Sequence, residues 1–105
     1  MDKRILDITV VMPALNEERS IAQAVESSLK SLEDFGINGE IVIINDGSTD
    51  KTGEIVSGLM KTDERIRTIA HDRPKGIGVS FWDGVDSARA DVVVMMPGDY
   101  ENEPS

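Results

Sequence analysis

The 105-residue chain carries 20 acidic and 11 basic residues, for a formal net charge of −9, and contains no cysteine. Its length suits one domain with a hydrophobic core. The lack of cysteine excludes disulfides and thiolate metal sites. The acidity argues against a nucleic-acid partner, which would require a concentrated basic surface. No apolar run approaches the roughly 20 residues of a membrane-spanning helix and the first residues do not resemble a signal peptide, so we expect a cytoplasmic protein.

Apolar segments of two different periods alternate along the first half of the chain. Residues 5–12 are mostly β-branched and predict a strand buried on both faces, ended by Pro13. Asn16 is the expected N-cap of a helix over residues 17–35. This helix is predicted because its apolar residues recur at helical spacing, namely Ile21, Val25, Leu29 and Leu32.

The same alternation continues through the second half. Residues 40–45 predict a second buried strand, and residues 66–69 predict a short third strand. A second helix lies between them, with Ser48 or Asp50 as its expected cap and with an apolar face of Ile55, Val56, Leu59 and Met60. A third helix carries Ile77, Phe81, Val85 and Ala88 on one face, and residues 91–96 predict a fourth buried strand.

Strands that alternate with helices at this spacing predict an α/β fold, a Rossmann-like three-layer sandwich around a parallel sheet of order 3-2-1-4. In such sheets ligands bind beyond the carboxyl ends of the strands. The loops expected at that edge are residues 13–17, 46–50, 71–76 and 97–103, which are polar, turn-forming and acidic.

One of these loops, residues 46–50, has the composition of a nucleotide-binding corner. Asp46 ends the second strand and can accept a hydrogen bond from a base edge, while Gly47 permits a close approach and the following helix offers unpaired N–H groups. The alternative is that Ser48, Thr49 and Asp50 only cap that helix.

The last loop carries a candidate metal site. Asp99 and Glu101 are two residues apart, so in an extended segment both carboxylates point to one side and can hold Mg²⁺ or Mn²⁺. Such an ion would bridge to a diphosphate and neutralise charge on a departing nucleotide. The alternative is a solvated acidic loop without a metal.

Three segments in register resemble glycosyltransferase family 2, which has the GT-A fold: VVMPALNEE, IVIINDGSTDKT and PKGIGVSFWDGVDSARADVVVMMPGD. The match covers essentially the whole chain, and the last segment is most similar to dolichyl- and polyprenyl-phosphate mannosyl- or glucosyltransferases. The resemblance implies that residues 1–105 are the nucleotide-sugar-binding subdomain of such an enzyme, a partial GT-A fold without the acceptor-binding half.

The resemblance also implies roles for individual residues. Pro13, Ala14 and Glu17 would line the nucleoside pocket, and Asp46 would contact the base, which is uracil or guanine in the family. Lys75 would steady the base or the phosphates, and Gly76 would keep its loop tight. The expected metal ligands are Asp99, which matches the second Asp of the family's DxD signature, and Glu101.

One departure from the family pattern leaves the function open. Pro97 stands where the first Asp of DxD is expected, and it offers neither a carboxylate nor an N–H group. The expected function is transfer of a hexose from a UDP- or GDP-sugar, with polyprenyl phosphate as one acceptor; the alternatives are an inactive nucleotide-binding or regulatory module of the same fold, and a phosphoacceptor domain using Asp46.

The remaining expectations concern partners and single side chains. A membrane would be reached only through a lipid acceptor or a further part of the protein, so the full-length protein would work at the cytoplasmic membrane face, and the isolated piece would self-associate through its uncovered sheet edge. His71 is interpreted as a loop histidine, and Ser80 has no nearby base that would make it a nucleophile. Packing in the core is expected of Trp82, Met95 and Met96.

Overall fold

Four strands alternate with three helices in the computed structural model, which describes residues 6–97 of the chain. The strands are β1 (Ile8–Ala14), β2 (Gly39–Asp46), β3 (Ile66–His71) and β4 (Val92–Met95). The helices are α1 (Ile21–Asp34), α2 (Thr52–Thr62) and α3 (Ile77–Ser87). All neighbouring strands pair in parallel in the order β3-β2-β1-β4, which confirms the predicted topology.

The hydrophobic core is divided between the two faces of this sheet. Alternate residues of the two central strands point to opposite faces, as strand geometry requires. On one face Met12 and Ile43 pack against α1 and α2, and on the other Val11 and Ile44 pack against Phe81 of α3. The predicted three-layer sandwich is therefore confirmed. Within the described residues, no helix has the length and apolar character needed to cross a membrane.

The fourth strand differs from its prediction as a buried strand. It pairs with β1 along one side only, and its side chains remain accessible, with Val92 53% exposed and Met95 44% exposed. Met96, just beyond the strand, is 46% exposed. The expectation that Met95 and Met96 are core residues was wrong for this chain. Within residues 6–97, β4 is an edge strand, and no further element covers its outer edge.

Two helices also differ from their predictions. Helix α1 begins at Ile21 rather than near Glu17, after a turn in which the N–H groups of Ser20 and Ile21 donate to the carbonyl of Glu17. Helix α3 buries Ser80 and Gly84 rather than Ile77, which is 60% exposed. A Cβ atom built on Gly84 would lie 2.4 Å from Cγ1 of Val11, so small residues allow α3 to lie close to the sheet.

Candidate functional site

The ends of β1 and β2 and the loops that follow β1 and β3 meet at the carboxyl edge of the sheet and enclose a cleft of about 240 Å³. The cleft also reaches the first turn of α3 and the end of the described chain. Five of the six residues predicted to bind a nucleotide line it, together with Ile77 and Ser80 of α3. Its lining comprises Pro13, Ala14, Leu15, Glu17, Asp46, Pro74, Gly76, Ile77, Ser80 and Pro97.

Asp46 is the most highly connected side chain of this cleft. It is the last residue of β2 and only 5% exposed. One carboxylate oxygen, Oδ1, accepts the backbone N–H of Lys75 at 2.8 Å, and Oδ2 accepts the N–H of Gly76 at 3.0 Å. Asp46 therefore holds the β3–α3 loop against the end of β2, a role that the sequence interpretation did not include. Because this carboxylate is buried and both of its oxygens already accept hydrogen bonds, it does not favour the phosphoacceptor alternative.

His71 is not a loop histidine, contrary to the sequence interpretation. It is the last residue of β3, directly beside Asp46 in the parallel register, and its side chain is 5% exposed. Its Nδ1 lies 2.7 Å from Oδ1 of Asp46, and its Nε2 lies 2.7 Å from Oδ2 of Asp83 on α3. One imidazole ring thus joins two strands and a helix behind the cleft.

The two ring contacts determine the charges in this cluster. A carboxylate can only accept hydrogen bonds, so an imidazole that contacts two carboxylates must donate from both nitrogens and be protonated. The bonds to Asp46 and then Asp83 accordingly raise the pKa of His71, against the opposing effect of burial. Burial acts to raise the pKa of Asp46, but the bonds from His71, Lys75 and Gly76 outweigh it and lower that pKa overall.

Gly47 permits a close approach of backbone rather than of a ligand. Its φ is 76°, and a Cβ atom at this position would lie 2.3 Å from the carbonyl carbon of Arg73 and 2.4 Å from the nitrogen of Pro74. The loop between β3 and α3 therefore lies directly on the turn after β2. Any residue with a side chain would have to displace this loop and, with it, one wall of the cleft.

Asn16 joins the loop after β1 to the loop after β2. Its Oδ1 accepts the N–H groups of Thr49 and Asp50 at 2.8 and 3.2 Å, and its own N–H donates to Oγ of Ser48. Asp50 in turn accepts the N–H of Thr52, the first residue of α2. These contacts favour a structural role for residues 48–50, none of which lines the cleft. The expected cap was wrong in position, because the N-cap of α2 is Lys51 rather than Ser48 or Asp50. Asn16 is a loop bridge and not the helix cap that we expected.

The remaining predicted residues differ in how they face the cleft. Glu17 lines it, and its backbone N–H donates to Oγ1 of Thr52. Gly76 has a φ of 102° and immediately precedes α3. Lys75 is exposed and does not line the cleft, so only its backbone N–H contributes to the geometry.

The predicted metal ligands Asp99 and Glu101 lie outside the described residues. Pro97, the last described residue, lines the cleft. Within residues 6–97, no group of three or more histidine and acidic side chains is arranged to hold a metal ion. The prediction of Mg²⁺ or Mn²⁺ thus depends on Asp99 and Glu101 and stays a prediction.

A second cleft, of about 230 Å³, lies between α1 and the β1–β4 side of the sheet. Its walls are mainly apolar side chains such as Val10, Leu32 and Val94, with three serines of α1 as the polar groups. It contains no charged residue that could recognise a phosphate or a base. We therefore assign the functional site to the cleft at the carboxyl edge.

Known proteins are similar to this chain in amino-acid sequence. The family model for glycosyl transferase family 2 matches residues 9–105. The undecaprenyl-phosphate 4-deoxy-4-formamido-L-arabinose transferase of Pectobacterium carotovorum is 30% identical over 101 residues, which are 95% of this chain and 31% of the relative. Glycosyltransferase AglD of Haloferax volcanii is 33% identical over 100 residues, which are 93% of this chain and 16% of the relative. The chain spans about a third or less of these curated relatives.

Solved structures share the fold. Mannosyltransferase PcManGT from Pyrobaculum calidifontis, solved with GDP-Man and Mn²⁺, superposes with a TM-score of 0.78 at 20% identity over 92% of this chain and 28% of that one. S. aureus TarS in complex with UDP gives 0.75 at 22% identity, over 90% and 28% of the two chains. Glucosyl-3-phosphoglycerate synthase from Mycobacterium tuberculosis, also with UDP, gives 0.67 at 29% identity, over 92% and 35%.

These similarities agree with the partial GT-A fold expected from the sequence, and the family match covers nearly the whole chain. The chain therefore belongs to glycosyl transferase family 2.

Proposed function

We propose that this chain is the nucleotide-sugar-binding part of a glycosyltransferase that transfers a hexose from a UDP- or GDP-sugar. The observation that carries the proposal is the cleft at the carboxyl edge, because five predicted nucleotide-binding residues from the ends of two strands and from two loops line it together. Similar proteins have been solved with UDP and with GDP-Man and Mn²⁺, which supports a nucleotide diphosphate sugar as the donor.

The nucleoside would occupy the inner part of the cleft. Pro13 and Ala14 offer an apolar wall at the end of β1, and Asp46 lies at the end of the neighbouring strand. Each oxygen of a carboxylate can accept more than one hydrogen bond, so Asp46 can hold its loop and still accept an N–H from a base. Lys75, exposed beside the cleft, would place its ammonium group near the phosphates.

A divalent cation completes the proposed site. Asp99 and Glu101 supply oxygen ligands of the kind that Mg²⁺ and Mn²⁺ prefer. When bound, such an ion neutralises negative charge on the diphosphate leaving group. The chain's own contribution is to hold the donor in one orientation within a preformed cleft, which lowers the entropic part of the barrier.

The acceptor is proposed from the relatives. The Pectobacterium carotovorum relative is named as an undecaprenyl-phosphate sugar transferase, so polyprenyl phosphate is the acceptor class that fits this chain best. This chain covers 31% of that relative, and transfer requires donor and acceptor to be held together in reactive geometry. We expect the isolated chain to bind the nucleotide without completing the transfer.

Isothermal titration calorimetry of the purified chain with UDP and with GDP, each with Mn²⁺, tests this proposal. We expect saturable heat with at least one of the two nucleotides and a loss of affinity of at least tenfold when EDTA replaces Mn²⁺. Folding is confirmed on the same sample by circular dichroism. A folded chain that gives no heat with either nucleotide would contradict the proposal.

Pro97 supports a second candidate, an inactive nucleotide-binding or regulatory module of the same fold. Proline at this position cannot ligate a metal through a side chain. The variant Pro97→Asp separates the two candidates in the same titration. Metal-dependent affinity in the unmodified chain favours the enzyme, whereas metal dependence that appears only in Pro97→Asp favours the inactive module.

A further inference from the structure

Ser80 has a buried hydroxyl for which the protein provides no hydrogen-bond partner. The residue is fully buried on α3, and its Oγ is the one side-chain polar atom buried without a partner among residues 6–97. Burying a hydroxyl without a hydrogen bond is unfavourable, and alanine would fill the same position at lower cost. The hydroxyl therefore requires an explanation other than packing.

The position of Ser80 indicates what that explanation is. Ser80 lies one helical turn before Gly84, on the face of α3 that packs closely on the sheet, and it lines the same cleft as Ala14 and Asp46. Ile77, one turn earlier, lines the cleft too and is 60% exposed, so its side chain can move aside when a ligand enters. Ser80 thus belongs to the floor of the cleft, and its unpartnered hydroxyl is buried at that floor.

Asp46 and Ser80 together offer complementary hydrogen-bonding groups. A carboxylate can only accept, whereas a serine hydroxyl can donate. Uracil and guanine each present an N–H donor directly beside a carbonyl acceptor on the pairing edge, while cytosine and adenine present an unprotonated ring nitrogen beside an amino group. If the acceptor faces the ring nitrogen of the base and the donor faces its exocyclic group, this pair matches uracil or guanine and opposes cytosine or adenine.

We propose that the Ser80 hydroxyl binds the base of the donor nucleotide by donating a hydrogen bond to its carbonyl oxygen, while the Asp46 carboxylate accepts the adjacent N–H. This inference rests on the proposed function, since it names a contact within the same nucleotide site. It makes Ser80 a residue that determines which base is bound. The sequence alone predicts no such role for Ser80.

The test compares Ser80→Ala with the unmodified chain by calorimetry, using the nucleotide that binds best, its monophosphate, and CDP. We expect Ser80→Ala to bind the diphosphate and the monophosphate about tenfold more weakly, which corresponds to one hydrogen bond. We expect CDP to bind weakly and equally to both proteins. Ser28→Ala is the matched control, because Ser28 is a buried serine of α1 that lines the other cleft.

A measurement without nucleotide separates binding from folding. If the hydroxyl serves the ligand, Ser80→Ala unfolds at the same urea concentration as the unmodified chain or at a higher one. Equal affinity of both proteins for the best nucleotide would overturn the inference and leave the proposed function intact. Loss of affinity for the diphosphate alone would overturn the assignment to the base, and no binding by the unmodified chain would overturn the inference together with the proposed function.

Discussion

At the residue scale, the charged cluster behind the cleft is the feature with the largest consequences. His71 lies between Asp46 and Asp83 and is the only cation that contacts Asp46 through its side chain among the described residues. Without this imidazolium, a 5% exposed carboxylate would remain at the end of β2 with no compensating charge. The cluster therefore stabilises both the fold and the wall of the cleft.

The first prediction is that the stability of the chain depends on the protonation of His71. Because its pKa is raised in the folded state, its contribution is fully present below about pH 6.5 and is lost as the pH rises through the folded-state value. The pKa of Asp46 is lowered, so its contribution is present above about pH 4 and is lost as the pH falls further. Urea unfolding across this range should give maximal stability between these limits.

Two variants identify the origin of this pH dependence. His71→Gln should lower the free energy of unfolding by about 3 kcal/mol at pH 5.5, because it leaves Asp46 buried without a cation. It should also remove the loss of stability that the unmodified chain shows as the pH rises above about 6.5. Asp83→Asn is the control, since Asp83 is 40% exposed and should contribute less than about 1 kcal/mol. An unchanged pH profile in His71→Gln would show that another group is responsible.

At the element scale, the close contact between α3 and the sheet positions one side of the cleft. Gly84 allows this contact, and α3 is also linked to the amino end of the sheet by Arg67, which donates to the carbonyl of Ser87 and to the buried Glu40. Glu40 accepts further bonds from Oγ1 of Thr9 and from the N–H of Arg89. Burial acts to raise the pKa of Glu40, but these bonds outweigh it and the net shift is downward.

The second prediction concerns Gly84. Replacing it with alanine would place Cβ 2.4 Å from Cγ1 of Val11, so α3 must move away from β1. We expect Gly84→Ala to lower the free energy of unfolding by about 2 kcal/mol, because overpacking outweighs the better helix propensity of alanine. The displaced helix should also weaken nucleotide binding at the cleft.

A glycine elsewhere provides the matched control. Gly58 lies within α2, and a Cβ atom there would meet nothing within 4 Å. Gly58→Ala should therefore raise the free energy of unfolding by roughly 0.5–1 kcal/mol. Chemical denaturation of both variants checks the pair. Similar stabilisation of the two would show that α3 does not lie as close to the sheet as the structure indicates.

At the scale of the whole molecule, β4 and α3 expose apolar side chains on one side. Within residues 6–97, the unpaired edge of β4 lies beside Ile77 and Phe81 of α3, and Trp82, which is 62% exposed, contacts the ring of Phe81. An edge strand with apolar neighbours favours association with another chain. The exposure of Trp82 differs from the sequence interpretation, which expected this side chain to pack in the core.

The third prediction is that the isolated chain self-associates through this surface. Light scattering should show an average mass that rises with protein concentration, and Met95→Lys together with Trp82→Ser should reduce it toward the monomer value. Phe35→Ser is the control, because Phe35 is 77% exposed but belongs to the end of α1 and not to α3 or β4. A monomer at every concentration tested would contradict this prediction.

The sequence by itself determined the order and type of the elements, the sheet topology and the family. These features depend on local patterns, because the change from strand to helical spacing occurs at turn residues and parallel crossovers have one favoured hand. It also predicted which loops share an edge, and hence that Pro13, Ala14, Glu17, Asp46 and Gly76 would meet. The strand order alone is enough for this prediction, because it places the carboxyl ends of β1, β2 and β3 at one edge of the sheet.

Only the tertiary structure decided how those residues are held and which others join them. The link from Asp46 through His71 to Asp83, the bridge from Asn16 to the next loop, and the unpartnered hydroxyl of Ser80 all connect residues that are distant in the chain. Exposure of Trp82, Met95 and Met96 likewise depends on which neighbouring elements are present. No local pattern encodes such contacts, because a side chain's burial and partners are set by the elements that fold against it.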